Sequence, residues 1–122
     1  MAHKIFLSIL FLGVLFTNSD ALNVSHYLKQ AEQYQAEAER YSKQAEAYLS
    51  EAERYSKQAD GYLREAENYA KRGDYDKAKT RQGWATEALS KARTRTGWAT
   101  DTLQKAATRT QWATEARKKA GK

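Results

Sequence analysis

Tyrosine recurs every seven residues seven times in the first half of this chain, and an alanine follows each of the first six at the fourth place. The tyrosines are Tyr27, Tyr34, Tyr41, Tyr48, Tyr55, Tyr62 and Tyr69, and the alanines are Ala31, Ala38, Ala45, Ala52, Ala59 and Ala66. Apolar residues that alternate four and three apart are typical of helices that pack along one supercoiled seam. The chain also lacks proline, which would interrupt such a helix. The pattern therefore restricts the fold to long, paired helices.

Each half of the chain contains three copies of a fourteen-residue unit. The first unit begins YLKQAEQYQAEAER and its copies cover 27–68, while the second begins TRQGWATEALSKAR and its copies cover 80–121. Alanine recurs every seven residues in the second half as well, at Ala78, Ala85, Ala92, Ala99, Ala106, Ala113 and Ala120. Because the two blocks are equally long, we predict an all-α fold of two long antiparallel helices, a coiled-coil hairpin. A core based on alanine is thin, so we also predict self-association into a homo-oligomer.

The segment 69–78 separates the two repeats. Gly73 suits the left-handed backbone that ends a helix, and Asp74 can accept a hydrogen bond from the first turn of the next one. Gly73 and Asp74, followed by Tyr75 and Ala78, resemble the turn between the two helices of a tetratricopeptide repeat. The resemblance extends to Tyr62, Ala66, Tyr69 and Ala85, where that family has aromatic or small residues, and it implies a tight inter-helix turn. We predict a first helical arm at 22–72, a turn region at 73–79 and a second helical arm at 80–122.

The first 21 residues have the pattern of a secretory signal peptide. Lys4 precedes a stretch of twelve mostly apolar residues at 5–16, and Ser19 and Ala21 are small residues suited to a cleavage site. Twelve residues are too few for a transmembrane helix, which needs about 20. We therefore predict a secreted, extracellular protein. Asn23, in the sequence Asn-Val-Ser, is a candidate glycosylation site.

The residue types that enzymes commonly use are scarce in this chain. There is no cysteine, and His26 is the only histidine after the predicted signal peptide. A metal cluster or imidazole-based catalysis therefore has little support. We predict a protein that is not an enzyme, with no catalytic residues, metal or cofactor. The absence of cysteine also means that helix packing or association must replace the disulfides typical of small secreted domains.

Arg72, Gly73 and Asp74 form the tripeptide that resembles the integrin-recognition motif of adhesion proteins. A carboxylate can complete the coordination of a receptor-bound divalent metal, and a guanidinium can enter an acidic pocket. The tripeptide falls at the predicted tip of the hairpin, where it would be exposed. An integrin-type receptor is therefore a candidate partner. The alternative is that the Gly-Asp pair serves only the turn between the helices.

Tryptophan recurs every fourteen residues in the second half, and each tryptophan follows an arginine by three places. The pairs are Arg81 with Trp84, Arg95 with Trp98 and Arg109 with Trp112. This spacing puts both side chains on one helix face, within reach of a cation–π contact. From Gly73 onward there are twelve basic and five acidic residues. The stripe is a candidate site for a polyanion or an anionic membrane surface, with no specific nucleic acid expected; alternatively, it covers the flank of the alanine seam.

Together these observations favour one function and leave two others open. The leading hypothesis is a secreted helical repeat protein that acts as an extracellular structural or interaction component through coiled-coil association. The second is an integrin ligand or anti-adhesive effector that displays the Arg-Gly-Asp tripeptide at the hairpin tip. The third is a basic, tryptophan-striped helix that binds anionic lipid or glycan.

Overall fold

The computed structural model consists of two α-helices joined by a short turn. It describes the backbone of residues 2–121 and the side chains of residues 21–121. Helix α1 comprises Ala2–Lys71 and helix α2 comprises Tyr75–Gly121. The two helices pack against each other, which confirms the predicted all-α helical hairpin. The predicted signal peptide, residues 1–21, lies almost wholly outside the described side chains, so its removal stays a prediction.

Contacts between α1 and α2 divide the chain into two units. The terminal unit comprises Met1–Ala38 and Ala107–Lys122, and the turn unit comprises Glu39–Ala106. In the turn unit, Tyr62 contacts Trp84 and Tyr48 contacts Trp98. A step of fourteen residues back along α1 is therefore matched by fourteen residues forward along α2, as an antiparallel pair requires. In the terminal unit, Tyr34 contacts Trp112 in the same way.

The core between the helices consists almost entirely of alanine. All the heptad alanines of both helices are buried, together with Ala88, Ala116 and Thr102 of α2. In the turn unit, Ala59 of α1 packs with Ala85 and Ala88 of α2, and Tyr62 and Leu89 cover this cluster. Among the residues whose side chains are described, no large side chain is fully buried. Small residues on both helices permit close approach, so larger side chains are displaced to the edges of the seam.

The turn is explained by the hydrogen bonds of three residues. The Asp74 amide donates to the Tyr69 carbonyl at 2.9 Å and the Gly73 amide donates to the Ala70 carbonyl at 3.0 Å, which is a Schellman motif. Gly73 has a φ of 80°. Asp74 is the N-cap of α2, since its Oδ1 accepts from the Lys77 amide at 3.4 Å. Helix α2 therefore begins at Tyr75, and Tyr75 to Lys79, which we had placed in the turn region, are helical.

Replacing Gly73 by alanine should destabilise the hairpin. A Cβ atom in the left-handed conformation costs about 1 kcal/mol of unfolding free energy. The matched control is Gly83→Ala, in the interior of α2, where a new Cβ meets no atom within 4 Å. That change should stabilise the helix by up to about 1 kcal/mol. Urea unfolding followed by circular dichroism, at one protein concentration, measures both. Equal stability of the Gly73→Ala variant and the wild type would contradict the Schellman geometry.

Candidate interaction surfaces

Two flanks of different chemistry border the alanine seam. We call the alanines that recur every seven residues the seam alanines. The tryptophan flank consists of the residue immediately before each seam alanine. In the turn unit they are Gln44, Glu51, Gln58 and Glu65 of α1 and Lys77, Trp84, Lys91, Trp98 and Lys105 of α2. The leucine flank consists of residues four places after a seam alanine. In the turn unit they are Ser42, Leu49, Ser56, Leu63 and Ala70 of α1 and Gln82, Leu89, Thr96 and Leu103 of α2.

An arginine of α2 connects the two helices on the tryptophan flank. The Nε of Arg95 donates to Oε2 of Glu51 at 2.6 Å. Its guanidinium carbon lies 4.3 Å from the ring centroid of Trp98 and 5.5 Å from that of Tyr55. Trp98 in turn meets Tyr48 edge to face, with centroids 5.5 Å apart. We call this group a clasp: a glutamate and two tyrosines of α1 that contact an arginine and a tryptophan of α2.

The clasp is repeated at fourteen-residue intervals. A second one in the turn unit joins Arg81 to Glu65 at 2.7 Å, with the guanidinium 4.2 Å from the Trp84 centroid. The terminal unit contains a third, in which Arg109 lies 2.7 Å from Glu37 and 4.4 Å from the Trp112 centroid. The period follows from the sequence, because arginine alternates with a small residue at this seam position. Those small residues are Ala88, Thr102 and Ala116.

Each clasp contains one of the three arginine–tryptophan pairs of the predicted polyanion or membrane stripe. Each arginine side chain is only 22–23% exposed and is paired with a glutamate of α1. The guanidinium charge is therefore compensated within the hairpin. Sequence interpretation missed these glutamates, although their spacing could have indicated them. Glu37, Glu51 and Glu65 are fourteen residues apart, and glutamine occupies the places between them.

Lysines on the tryptophan flank cover the remaining tyrosines of α1. The ammonium of Lys91 lies 5.7 Å from the Tyr55 centroid, and that of Lys105 lies 6.0 Å from the Tyr41 centroid. Lys119 lies 5.7 Å from Tyr27 in the terminal unit. Alternate tyrosines thus contact tryptophan and lysine. This is the reason why the structural repeat is fourteen residues long, whereas the seam itself repeats every seven.

Shallow grooves lie beside the tyrosine–tryptophan pairs. One of about 300 Å³ is lined by Gln58, Tyr62, Trp84, Glu87, Ala88 and Lys91. A second in the turn unit, of about 290 Å³, is lined by Tyr48, Trp98, Asp101, Thr102 and Lys105. Each contains one carboxylate and one ammonium group, so its lining is close to neutral. The grooves therefore lack the excess positive charge that would concentrate a polyanion.

The Arg72-Gly73-Asp74 tripeptide forms the connection between the helices. Arg72 and Gly73 are exposed, whereas Asp74 is half-buried. One Asp74 oxygen accepts from the Lys77 amide, and the other lies 3.7 Å from the Lys77 ammonium. The Arg72 guanidinium lies 5.9 Å from the Tyr69 ring centroid. The arginine is accessible, and the carboxylate is engaged in capping α2.

Other sequence motifs have little structure around them. Asn23 is exposed on α1. Within the described residues, there is no group of three or more His, Cys, Asp or Glu side chains that could hold a metal ion. The described part of the chain also contains no helix sufficiently long and apolar to span a membrane.

Comparison of the chain with protein-family models, with curated proteins and with solved structures gives no match. Function must therefore be argued from the packing of the hairpin itself.

Proposed function

We propose that this chain is a secreted, non-enzymatic helical hairpin that self-associates and serves as an extracellular structural or interaction component. The observation that carries the proposal is the composition of its core. Among the residues whose side chains are described, those that are buried are alanines and one threonine, each of which removes little apolar surface from water. Two helices with such a core have a small margin of stability as a monomer. Association would add the burial that the single hairpin lacks.

Exposed leucines support the same proposal. Leu49, Leu63 and Leu103 are 44–45% exposed, although each lies beside the seam. They recur along one flank of the turn unit and are not scattered over it. Exposed apolar side chains that recur along one surface are typical of protein–protein contacts. Trp84 and Trp98 of the opposite flank are exposed to a similar extent, 42% and 45%, so association could bury apolar surface on either flank.

Secretion and association can be tested with one preparation. The full chain, expressed in cells with a carboxyl-terminal tag, should appear in the medium with Leu22 as its first residue by mass spectrometry. Sedimentation equilibrium of this product from about 1 µM to 1 mM should show concentration-dependent association. Retention of the chain inside the cells would contradict secretion. A monomer across the whole range would contradict the proposed self-association.

A second candidate function is integrin recognition by the turn. It is favoured by the exposure of Arg72 and Gly73 between the two helices. Immobilised protein should support cell attachment that depends on a divalent cation. The Asp74→Asn variant should abolish attachment, because an amide lacks the charge that a metal site requires. Asparagine caps helices as well as aspartate does, so the hairpin itself should persist.

Asp74→Glu provides the complementary variant for this test. It keeps the carboxylate charge but changes its position and removes the short N-cap side chain. An integrin ligand should lose attachment with both variants, while circular dichroism of Asp74→Asn stays like that of the wild type. Attachment that persists in the Asp74→Asn protein would assign the tripeptide to turn formation alone.

A further inference from the structure

The two flanks of the turn unit differ in the contacts that their side chains make between the helices. On the tryptophan flank, glutamates, arginines and aromatic rings contact one another across the helices. The leucine flank contains leucine, serine, threonine, one alanine and one glutamine, and no charged residue. Leu49 and Leu103 are almost half exposed, as is Leu63. This strip is therefore uncharged and apolar, whereas the exposed indoles of the other flank, Trp84 and Trp98, contact arginine in the clasps.

Charged rows of different sign border the leucine flank. The row on α1 consists of the residues after each seam alanine and is entirely acidic: Glu39, Glu46, Glu53, Asp60 and Glu67. The equivalent row on α2 has no acidic member: Lys79, Thr86, Arg93 and Thr100. All of these residues are exposed. The strip therefore has a negative edge along α1 and a partly positive edge along α2.

The register of the hairpin places these charges at matching levels. Contacts of Glu51 with Arg95 and of Glu65 with Arg81 define which residues of the two helices lie side by side. By the same register, Glu53 lies at the level of Arg93, and Glu67 lies at the level of Lys79. The members of each pair are on opposite edges of the strip, too far apart to meet within one chain. They could meet only across an interface.

We propose that the leucine flank of the turn unit docks on the same flank of a second copy of this chain. The two-fold axis would run parallel to the helices, so that α1 of each copy lies against α2 of the other. Glu53 would then face Arg93 of the second copy, and Glu67 would face its Lys79. The proposal deepens the self-association proposed above and rests on it.

Charge excludes the other simple arrangement. In that arrangement the two-fold axis lies in the interface and is perpendicular to the helices. It would place α1 of one copy on α1 of the other, so that their acidic rows would face each other. Like charges across an interface disfavour association. In the single chain, Glu53 pairs with Lys57 and Glu67 with Lys71, both one turn along the same helix. These side chains are 66–75% exposed, and such pairs are weak enough to exchange partners on docking.

Charge reversal tests the interface. Glu53→Arg and Arg93→Glu, each present twice in a dimer, should each weaken association by about tenfold to a hundredfold in sedimentation equilibrium. The double variant Glu53→Arg/Arg93→Glu should recover the wild-type dissociation constant to within about threefold, because it restores both pairs. Lys43→Glu, on the outer face of α1, is the matched control and should leave association unchanged. Helicity by circular dichroism should be the same in all four variants.

The outcomes separate this proposal from the one on which it rests. Wild-type association that both single reversals leave unaltered would overturn the leucine-flank interface and leave self-association through another face. Weakening by the single reversals without recovery in the double variant would overturn the paired arrangement of Glu53 and Arg93. A monomeric wild type would overturn self-association itself, and this interface with it.

Discussion

Replacing Ala59 by leucine is expected to reduce the free energy of unfolding by about 3 kcal/mol, the upper part of the usual range for overpacking. Ala59 is completely buried and packs against Ala85 and Ala88 of α2. Leucine adds three carbon atoms at a position that is completely enclosed between the helices. Because both faces of the seam are backbone and methyl groups, the helices must separate to accept it. Separation would also loosen the Tyr62–Trp84 contact.

The matched control for this change is Ala47→Leu. Ala47 belongs to the same helix and unit but is exposed, so leucine there should alter stability only by tenths of a kcal/mol. Thermal unfolding should show a decrease of roughly 15 °C for Ala59→Leu at the same protein concentration. Similar melting temperatures for the two variants would mean that the seam is not the tightly packed contact described above.

Removal of Arg95 is expected to cost about 2 kcal/mol of unfolding free energy, although the residue carries a charge and lies near the surface. The Arg95→Ala variant loses the charge-assisted hydrogen bond to Glu51 and the stack on Trp98. It also loses the apolar stem that covers the seam. The cost is less than for a fully buried pair, since Glu51 is 39% exposed and can regain water.

Two comparisons identify the source of that cost. Arg64→Ala removes an exposed arginine from α1 and should be neutral within about 0.5 kcal/mol. Arg95→Lys keeps the charge but loses the planar group that stacks on the indole, so it should recover less than half of the stability. Urea unfolding measures all three variants. Full recovery in the lysine variant would show that charge alone, without stacking, accounts for the clasp.

The architecture could be predicted from the sequence because small and large apolar residues alternate on a seven-residue period. Buried Ala59 and half-buried Tyr62 occupy the places that this period assigns to them. The end of α1 was predictable from Gly73, which only a left-handed turn explains. The start of α2 was placed too late, because we predicted a turn as far as Lys79. Asp74 ends one helix and caps the next, so no further residues are needed.

The pairing of the two helices was much harder to predict. A slip of seven residues would keep every alanine opposite an alanine, but it would bring Lys91 or Lys105, and not Trp98, to Tyr48. Only the fourteen-residue alternation distinguishes these registers, and it does so through residues on different helices. The Arg95–Trp98 spacing was visible on α2, whereas its partner Glu51 was not. The leucine flank was missed for the same reason, since leucines of α1 and of α2 come to lie on one side of the seam only in the paired structure.

The clasps also make length an adjustable property of this protein. Each clasp in the turn unit uses one segment of α1 and the facing segment of α2, and it shares none of its described contacts with the next. Loss of 49–62 together with 84–97 would leave the remaining residues in their present pairing. Loss of either segment alone would shift every pair beyond it. Gene duplication could therefore lengthen the hairpin in paired steps of about 21 Å while its cross-section stays constant.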